Sequence, residues 1–365
     1  MMLTFEHITL GQRVLFGTGQ AATNLAAEVQ RLDARRVMVI AAPFEAEIAK
    51  KVTEKIEIAL NHDEVVMHVP IDVVERARAA AIKHNIDLLV CVGGGSTTGL
   101  AKAIAMTSGL PIVAIPTTYA GSEATNVWGL TEASRKSTGV DDRVLPVTVI
   151  YDAELTLSLP VEMSVASGLN GMAHCIDSLW GPRVDPINSA LAAEGIRALA
   201  EGLPAIVAEP QGIAGREQAL YGAYLSAVAF ASAGSGMHHK ICHVLGGTFN
   251  LPHAETHATV LPYVLAFNAA AAPEAEARMS GAFGSLTALE GLQKLRKRLA
   301  APKSLVDYGF TADGIAEAVA VALPSIPASN PRPVTEENLT RLLQAALLGE
   351  DPAVVADLVL EGEAR

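Results

Sequence analysis

Cysteine is scarce in this chain, with three residues among 365 (Cys91, Cys175 and Cys242) and no pair at C-x-x-C spacing. This scarcity excludes a disulfide framework and a thiolate metal site, and it favours a reducing cytoplasm. Uninterrupted apolar runs of about 18 residues, the length of a membrane span, are missing too. The N-terminus MMLTFEHITL has no basic region followed by an apolar run, which argues against a secretory signal. We therefore expect a soluble cytoplasmic protein.

An excess of positive charge is also missing. The chain has 27 Lys and Arg against 39 Asp and Glu, a formal net charge of −12. This balance argues against nucleic acid or an anionic membrane as the main partner, although a local basic pocket could still bind a small anion. Half of the residues are apolar, which indicates a well-packed globular protein, and the length favours two domains over one core.

The apolar pattern divides the chain near Leu155. Before it, short β-branched runs alternate with helical segments, which predicts an α/β domain over 1–154 with a mostly parallel sheet. The predicted strands are 36–42, 64–69, 86–92, 111–116 and 147–152. After it, Ala-rich helical stretches predict an all-α domain over 155–365, whose last helix Thr335 should cap. A ligand is expected in a cleft between these domains.

A glycine-rich turn stands between a predicted buried strand and a predicted helix. It comprises Gly93, Gly94, Gly95, Ser96 and Thr97. Glycines let the backbone approach a ligand closely, and the free N–H groups of the following helix favour a pyrophosphate. The arrangement lacks the G-x-G-x-x-G spacing of a conventional dinucleotide fold, and a tight turn without a ligand is the alternative interpretation.

A second loop, PTTYAGSEAT, follows the next predicted strand and is rich in hydroxyl groups, among them Thr117, Thr118 and Ser122. Ligands of open parallel sheets bind at the carboxyl ends of strands, so these hydroxyls could contact a nucleotide. They could equally satisfy the backbone of their own turn. Beside the glycine-rich turn, the loop favours a dinucleotide.

Histidines concentrate in the second half of the chain, at spacings of four residues. Pairs stand at Asn170/His174, His239/His243 and His253/His257. Residues four apart share one face of a helix, so three helices could direct these groups to one point. The spacing suits a metal site, but Asn170 supplies an amide where a carboxylate is expected. Structural histidines bonded to backbone carbonyls are the alternative.

These segments resemble the iron-containing alcohol dehydrogenases, and within them the maleylacetate reductases. The motifs that carry the resemblance are GGGSTTGLAKAIA, PTTYAGSEAT, the Asn170/His174 segment and HHKICHVLGGTFNLPHAETHATVLPYVLAFN. The resemblance covers nearly the whole chain. It implies an N-terminal dinucleotide-binding α/β domain, a helical C-terminal domain, an active site between them and a homodimer.

Carried over residue by residue, the resemblance implies two sets of functional positions. Nucleotide contacts fall on the glycine-rich turn (93–97), on Thr117, Thr118 and Ser122, and on Lys136 in RKSTG, which could instead be a solvated loop lysine. The metal-ligand positions of the family fall on Asn170, His174, His239 and His253, and His243 matches its histidine near nicotinamide and substrate.

Three departures from the metal-dependent members point to the maleylacetate reductases, which are described as working without a bound metal. Asn170 replaces an Asp, Gly99 replaces the Asp of GGGSxxDxxK, and the second loop is one residue shorter than PTTAGTGSE. Since no acid ends the second strand in RVMVIAAPF, both NADH and NADPH fit.

The expected function is therefore reduction of the conjugated C=C of maleylacetate to 3-oxoadipate, in the breakdown of aromatic compounds. Besides the histidines and Asn170, Lys240 and Tyr119 are candidate hydrogen-bond donors to the substrate. The alternatives are a metal-dependent alcohol or polyol dehydrogenase and, from another class, a non-catalytic NAD-binding sensor.

Overall fold

The computed structural model describes residues 4–132, 135–356 and 358, and it divides the chain into two compact units. The α/β unit comprises Thr9–Pro160 and Gln211–Leu220. The helical unit comprises the chain up to Ile8, Val161–Pro210, and the chain from Tyr221 onward.

A parallel sheet of six strands forms the centre of the α/β unit, in the order β1-β8-β5-β4-β2-β3. The strands are β1 Arg13–Phe16, β2 Val37–Ile40, β3 Ile58–His62, β4 Leu88–Gly93, β5 Ile112–Pro116 and β8 Thr148–Tyr151, with β6 Val127–Glu132 and β7 Arg135–Val140 in a separate antiparallel hairpin. The helices of this unit's first segment are α1 Ala21–Arg31, α2 Ala46–Val52, α3 Ile71–Lys83 and α4 Gly95–Ser108. Strands β2, β4, β5 and β8 are buried along their whole length, because helices cover both faces of a parallel sheet.

One predicted strand is wrong. The run 64–69 forms a turn in which His68 and Val69 have positive φ, a conformation incompatible with a strand. The third strand is instead Ile58–His62, and the helix before it, α2, stops at Val52. The polar hairpin β6–β7 and the edge strand β1 have no strong apolar signal and were not predicted.

The helical unit contains no strand in its described residues, which confirms the predicted class of this part of the chain. Its helices are α5 Val161–Ser178, α6 Pro186–Ala208, α7 Ile213–Ala233, α8 Met237–Phe249, α9 His253–Ala269, α10 Pro273–Phe283, α11 Ala288–Arg298, α12 Ile315–Ala322, α13 Glu336–Leu348 and α14 Ala353–Ala356. Helix α7 begins in the α/β unit, which includes its residues up to Leu220. An apolar core packs α8, α9, α12 and α13 together. Thr335 caps α13 as predicted, in a capping box with Asn338.

No helix within the described ranges is long and apolar enough to cross a membrane.

The buried cysteines give a prediction about thiol reactivity. Burial raises the pKa of Cys91 to about 12 and also raises the pKa of Cys175 and Cys242. Because the thiolate is the nucleophile, a disulfide reagent should modify no thiol in the folded protein near neutral pH and all three in guanidinium chloride. Rapid modification of one thiol in the folded protein would contradict this burial.

Candidate functional site

The glycine-rich turn joins β4 to α4 in the α/β unit. Gly93 ends the strand with a φ of +153°, and a Cβ there would lie 2.3 Å from Glu45 Oε2, so only glycine fits. Gly94 precedes the helix, and Gly95 begins it. The first N–H groups of α4 have no partner within the helix, as at any helix N-terminus, and they form a suitable place for an anionic group.

The second hydroxyl-rich loop lies directly beside this turn. Strand β5 pairs with β4, with Pro116 opposite Gly93, and the Thr117 N–H donates to the Gly93 carbonyl at 3.3 Å. A Cβ on Gly94 would lie 3.0 Å from Thr118 Cγ2. The structure therefore brings the two predicted nucleotide loops together at the carboxyl end of the sheet.

Lys102 holds the second loop in place, a role that was not predicted from the sequence. This buried side chain on α4 donates to the carbonyls of Ser122 at 2.6 Å, Thr125 at 2.8 Å and Val127 at 2.7 Å. Burial lowers the pKa of Lys102 to about 7. The lysine at the end of the GGGSxxDxxK pattern was the signal that could have identified it.

Two other predicted residues of this unit lie in different surroundings. Tyr119 is fully buried, and its hydroxyl donates to Thr156 Oγ1 at 3.3 Å and accepts from Arg216 at 3.4 Å. Lys136 lies on β7, with its side chain outside the described residues. Their roles toward substrate and nucleotide stay predictions.

In the helical unit, the histidines of α5, α8 and α9 form one cluster. The ring centroids lie 4.9 Å apart for His174 and His239, 4.9 Å for His239 and His257, and 4.4 Å for His253 and His257. His243 lies 6.1 Å from His239. The three predicted helix faces thus meet, as the four-residue spacing indicated.

Asn170 and Lys240 belong to the same helices as these rings. Asn170 is buried one turn before His174 on α5, so it shares the face that carries His174. Lys240 is half-buried on α8, directly after His239. The predicted contact of Lys240 with a ligand stays a prediction.

Four rings of the cluster are neutral at pH 7. Burial lowers the pKa of His174 to about 4 and that of His238 to about 3, and it lowers the pKa values of His239 and His257 well below the usual value. These four rings are therefore neutral hydrogen-bonding groups.

A buried carboxylate, Asp177, orients His239. Its Oδ2 lies 2.7 Å from His239 Nδ1 and accepts from the Gly236 N–H at 2.8 Å. Burial raises the pKa of Asp177 to about 6, which still leaves it ionised at pH 7. With its proton on Nδ1, His239 presents a bare Nε2, an atom that is buried without a hydrogen-bond partner among the described residues.

Asp177 was not predicted, although its spacing was visible. It stands seven residues after Asn170 and three after His174, so all three fall on one face of α5.

The donor set at the family's metal-ligand positions has unpartnered ligand atoms but lacks an anionic ligand. Asn170 Oδ1, His174 Nδ1 and His239 Nε2 are buried atoms without a hydrogen-bond partner in the described part of the chain, as ligand atoms would be. However, these positions and His253 include no carboxylate, and the nearby Asp177 already accepts N–H groups. A carboxylate strengthens the binding of a divalent ion, but three imidazoles can also hold zinc.

A second set of donor atoms occurs on His238, Cys242 and His257, whose ligand atoms lie within 4.8 Å of one another. His238 Nε2 and His257 Nδ1 lie 2.9 Å apart, which requires a shared proton between them. Burial also raises the pKa of the Cys242 thiol, so without a metal the thiol stays protonated at pH 7. This set is a hydrogen-bonded histidine pair packed against a thiol.

Comparisons with known proteins match both units. Residues 11–153 match the family model described as iron-containing alcohol dehydrogenase, and residues 164–347 match the model of the C-terminal part of the Fe-containing alcohol dehydrogenase family. Maleylacetate reductase from Pseudomonas sp. (strain P51) is 45% identical, over 96% of this chain and 99% of that protein.

Solved structures give the same likeness. An iron-containing alcohol dehydrogenase from Corynebacterium glutamicum ATCC 13032 is 72% identical with a TM-score of 0.96, and the match covers 97% of this chain and 100% of that chain. Maleylacetate reductase from Agrobacterium tumefaciens is 40% identical with a TM-score of 0.91, covering 96% and 100% respectively.

Replacement of Asp177 gives a prediction about stability. Asp177→Ala should lower the free energy of unfolding by about 3 kcal/mol, because buried N–H groups of Gly236 and His239 lose their acceptor. Asp177→Asn should lose less, since its amide oxygen can still accept from His239. Urea unfolding followed by circular dichroism measures both, with Asp313→Ala, at an exposed aspartate, as the control. A loss in Asp177→Ala no larger than in Asp313→Ala would contradict the assigned hydrogen bonds.

Proposed function

The chain belongs to the iron-containing alcohol dehydrogenase family and is an oxidoreductase, and we propose that it reduces maleylacetate with NADH or NADPH. The observation that carries the proposal is the amide of Asn170 within an otherwise all-imidazole set, in a chain that maleylacetate reductases match over nearly its full length.

Nucleotide binding is assigned to the α/β unit. The first turn of α4 offers backbone N–H groups at the carboxyl end of a parallel sheet, where the pyrophosphate of a dinucleotide is stabilised by hydrogen bonds and by the helix dipole. A Cβ on Gly95 would meet only Ala120, at 3.9 Å, so the start of the helix leaves room for the phosphates, and the hydroxyls of Thr118 and Ser122 lie on the adjoining loop. Because NADH and NADPH share the pyrophosphate, these groups suit both coenzymes.

The proposed reaction converts maleylacetate, NAD(P)H and a proton into 3-oxoadipate and NAD(P)⁺. Bound NAD(P)H would supply the hydride that forms a C–H bond at one carbon of the conjugated C=C. The π electron pair then moves into the adjacent carbonyl to give an enolate. This enolate is protonated at the second carbon of the former C=C. Because the enolate spreads its charge, hydrogen-bond donors can stabilise it.

The histidine cluster provides groups for the substrate side of this reaction. His243 and His253 are half-buried, so of the cluster they are the rings that solvent reaches. We assign His243 the transfer of the proton and His253 a hydrogen bond to the substrate. His239 donates its ring proton to Asp177, so its bare Nε2 can accept a hydrogen bond or a proton but cannot donate to a carboxylate.

The same proposal holds that no resident metal is needed. Polarising an unactivated carbonyl calls for a Lewis acid, whereas an enone carries its own electron sink. The donor set with Asn170 lacks the anionic ligand that would retain a divalent ion. The proposed reaction therefore has no step that requires a metal.

A metal-dependent alcohol or polyol dehydrogenase is the second candidate, and one observation favours it. The bare Nε2 of His239, oriented by Asp177, matches the carboxylate–histidine arrangement that supports a bound metal. The two candidates differ in their metal requirement and in their substrate.

An NADH-oxidation assay tests the reaction directly. The protein should oxidise NADH or NADPH with maleylacetate and show little activity with short aldehydes. His243→Ala should lower kcat by about 100-fold or more, within the usual range for a lost general acid, with the Kd for the coenzyme nearly unchanged. Lys297→Ala, at an exposed site on α11, is the control. Equal loss of kcat and coenzyme affinity in His243→Ala would make His243 structural, and inactivity toward every enone diacid and aldehyde would favour a non-catalytic sensor.

Asn170→Asp tests the metal assignment. The wild-type protein, purified without added metal, should keep its activity after chelator treatment, and Asn170→Asp should bind zinc or iron at least about tenfold more tightly. Metal analysis of both proteins is the measurement, with Asn24→Asp on α1 as the control for an added carboxylate. One tightly held metal per wild-type chain, with activity abolished by the chelator, would favour the metal-dependent dehydrogenase.

A further inference from the structure

A buried carboxylate, that of Glu45, lies against the glycine-rich turn. Glu45 ends the short helical turn Pro43–Glu45 that follows β2, and its side chain is 5% exposed. In the sheet β2 neighbours β4, and β4 neighbours β5. Glu45 therefore stands where three neighbouring strands end, two of which lead into the predicted nucleotide loops.

Both oxygens of this carboxylate contact those loops. Oε1 accepts from Thr117 Oγ1 at 2.7 Å, and Oε2 accepts a longer bond from Thr97 Oγ1 at 3.4 Å. Oε2 also lies 2.3 Å from the position that a Cβ would have if another residue replaced Gly93, which is too close for any side chain there. One side chain thus joins the end of β5 to the first turn of α4 and requires glycine at the end of β4.

The charged form of Glu45 is destabilised by burial at this position. Burial raises the pKa of Glu45, and hydrogen bonds from Thr117, the Ala42 backbone, Thr97 and the Gly94 backbone oppose that effect. Apolar residues could fill such a space at less cost than a desolvated carboxylate. The hydrogen bonds to two loops give the carboxylate a role that an apolar side chain would lack.

We infer that Glu45 is a positioning residue for the coenzyme: it sets the distance between the two loops and the direction of the first N–H groups of α4, so that they bind the pyrophosphate. This inference rests on the proposed function, because it requires a dinucleotide in the α/β unit. The carboxylate acts through Thr97 and Thr117 and does not hold the ribose, since both of its oxygens face protein groups.

Glu45→Ala and Glu45→Gln separate this role from simple packing. Glu45→Ala leaves two buried hydroxyls without their acceptor and frees the two loops, so the Kd for NADH should rise about tenfold or more, as expected for a lost hydrogen bond to a charged group. Glu45→Gln keeps the shape: its amide oxygen can accept from Thr117, and its N–H can donate to Thr97. We expect Glu45→Gln to recover most of the affinity. The KM for maleylacetate and the kcat at saturating coenzyme should change less than threefold in both.

Glu28→Ala is the matched control. Glu28 is another buried carboxylate of the α/β unit that accepts from a threonine, with Oε2 2.7 Å from Thr148 Oγ1, but Thr148 begins β8 at the opposite end of the sheet. This variant should lower the melting temperature and leave the Kd for NADH unchanged. Thr117→Val provides a second test that does not depend on the folding of Glu45→Ala, and it should also raise the Kd for NADH.

NADH fluorescence titration of folded protein gives the Kd, and circular dichroism gives the melting temperature. A Kd in Glu45→Ala and Thr117→Val within twofold of the wild-type value would overturn the inference. So would equal weakening by Glu28→Ala, which would show a general effect of stability. Failure of the wild-type protein to bind either coenzyme would instead overturn the proposed function.

Discussion

The hydrogen bond between Asp177 and His239 determines what the histidine cluster can do. It joins α5 to α8, holds the ring proton on Nδ1 and leaves a lone pair on the opposite nitrogen. Because the surrounding rings are buried and neutral, the protonation of the cluster depends on such local hydrogen bonds rather than on charge. Any substrate or cation that enters meets a set of acceptors and neutral donors whose directions are already determined.

In the α/β unit, too, buried side chains hold the candidate site in place by hydrogen bonds. Glu45 accepts hydrogen bonds from both loops, and Lys102 donates hydrogen bonds to carbonyls of the second loop, so two buried ionisable side chains hold the loops at the carboxyl end of the sheet. Neither is exposed to solvent. Loops built mainly of Gly, Ser and Thr have little apolar surface with which to pack, so buried ionic groups take over the task of positioning them.

Motifs that depend on local spacing were predictable from the sequence, and contacts across strands were not. The glycine-rich turn, the paired histidines and the cap at Thr335 follow from residues that are near in sequence. Glu45 lies 48 and 52 residues from Gly93 and Thr97, so its role depends on β2 lying next to β4, a strand order that no local pattern reveals. The strand at Ile58–His62 was missed because polar residues such as the exposed Asn61 and the half-buried His62 weaken its apolar signal. Asp177, by contrast, could have been found by extending the helical face of Asn170 and His174 by one turn.

The burial of all three thiols has a chemical consequence for the proposed reduction of an activated alkene. An enone diacid such as maleylacetate is an acceptor for conjugate addition, and a cysteine thiolate is the side chain that would add to it most readily. Cys242 directly precedes His243, yet its sulfur is buried and the pKa of its thiol is raised. Little reactive thiolate therefore forms beside the proposed substrate site. The packing that buries Cys242 beside the histidine cluster would thereby protect the protein from alkylation by its proposed substrate.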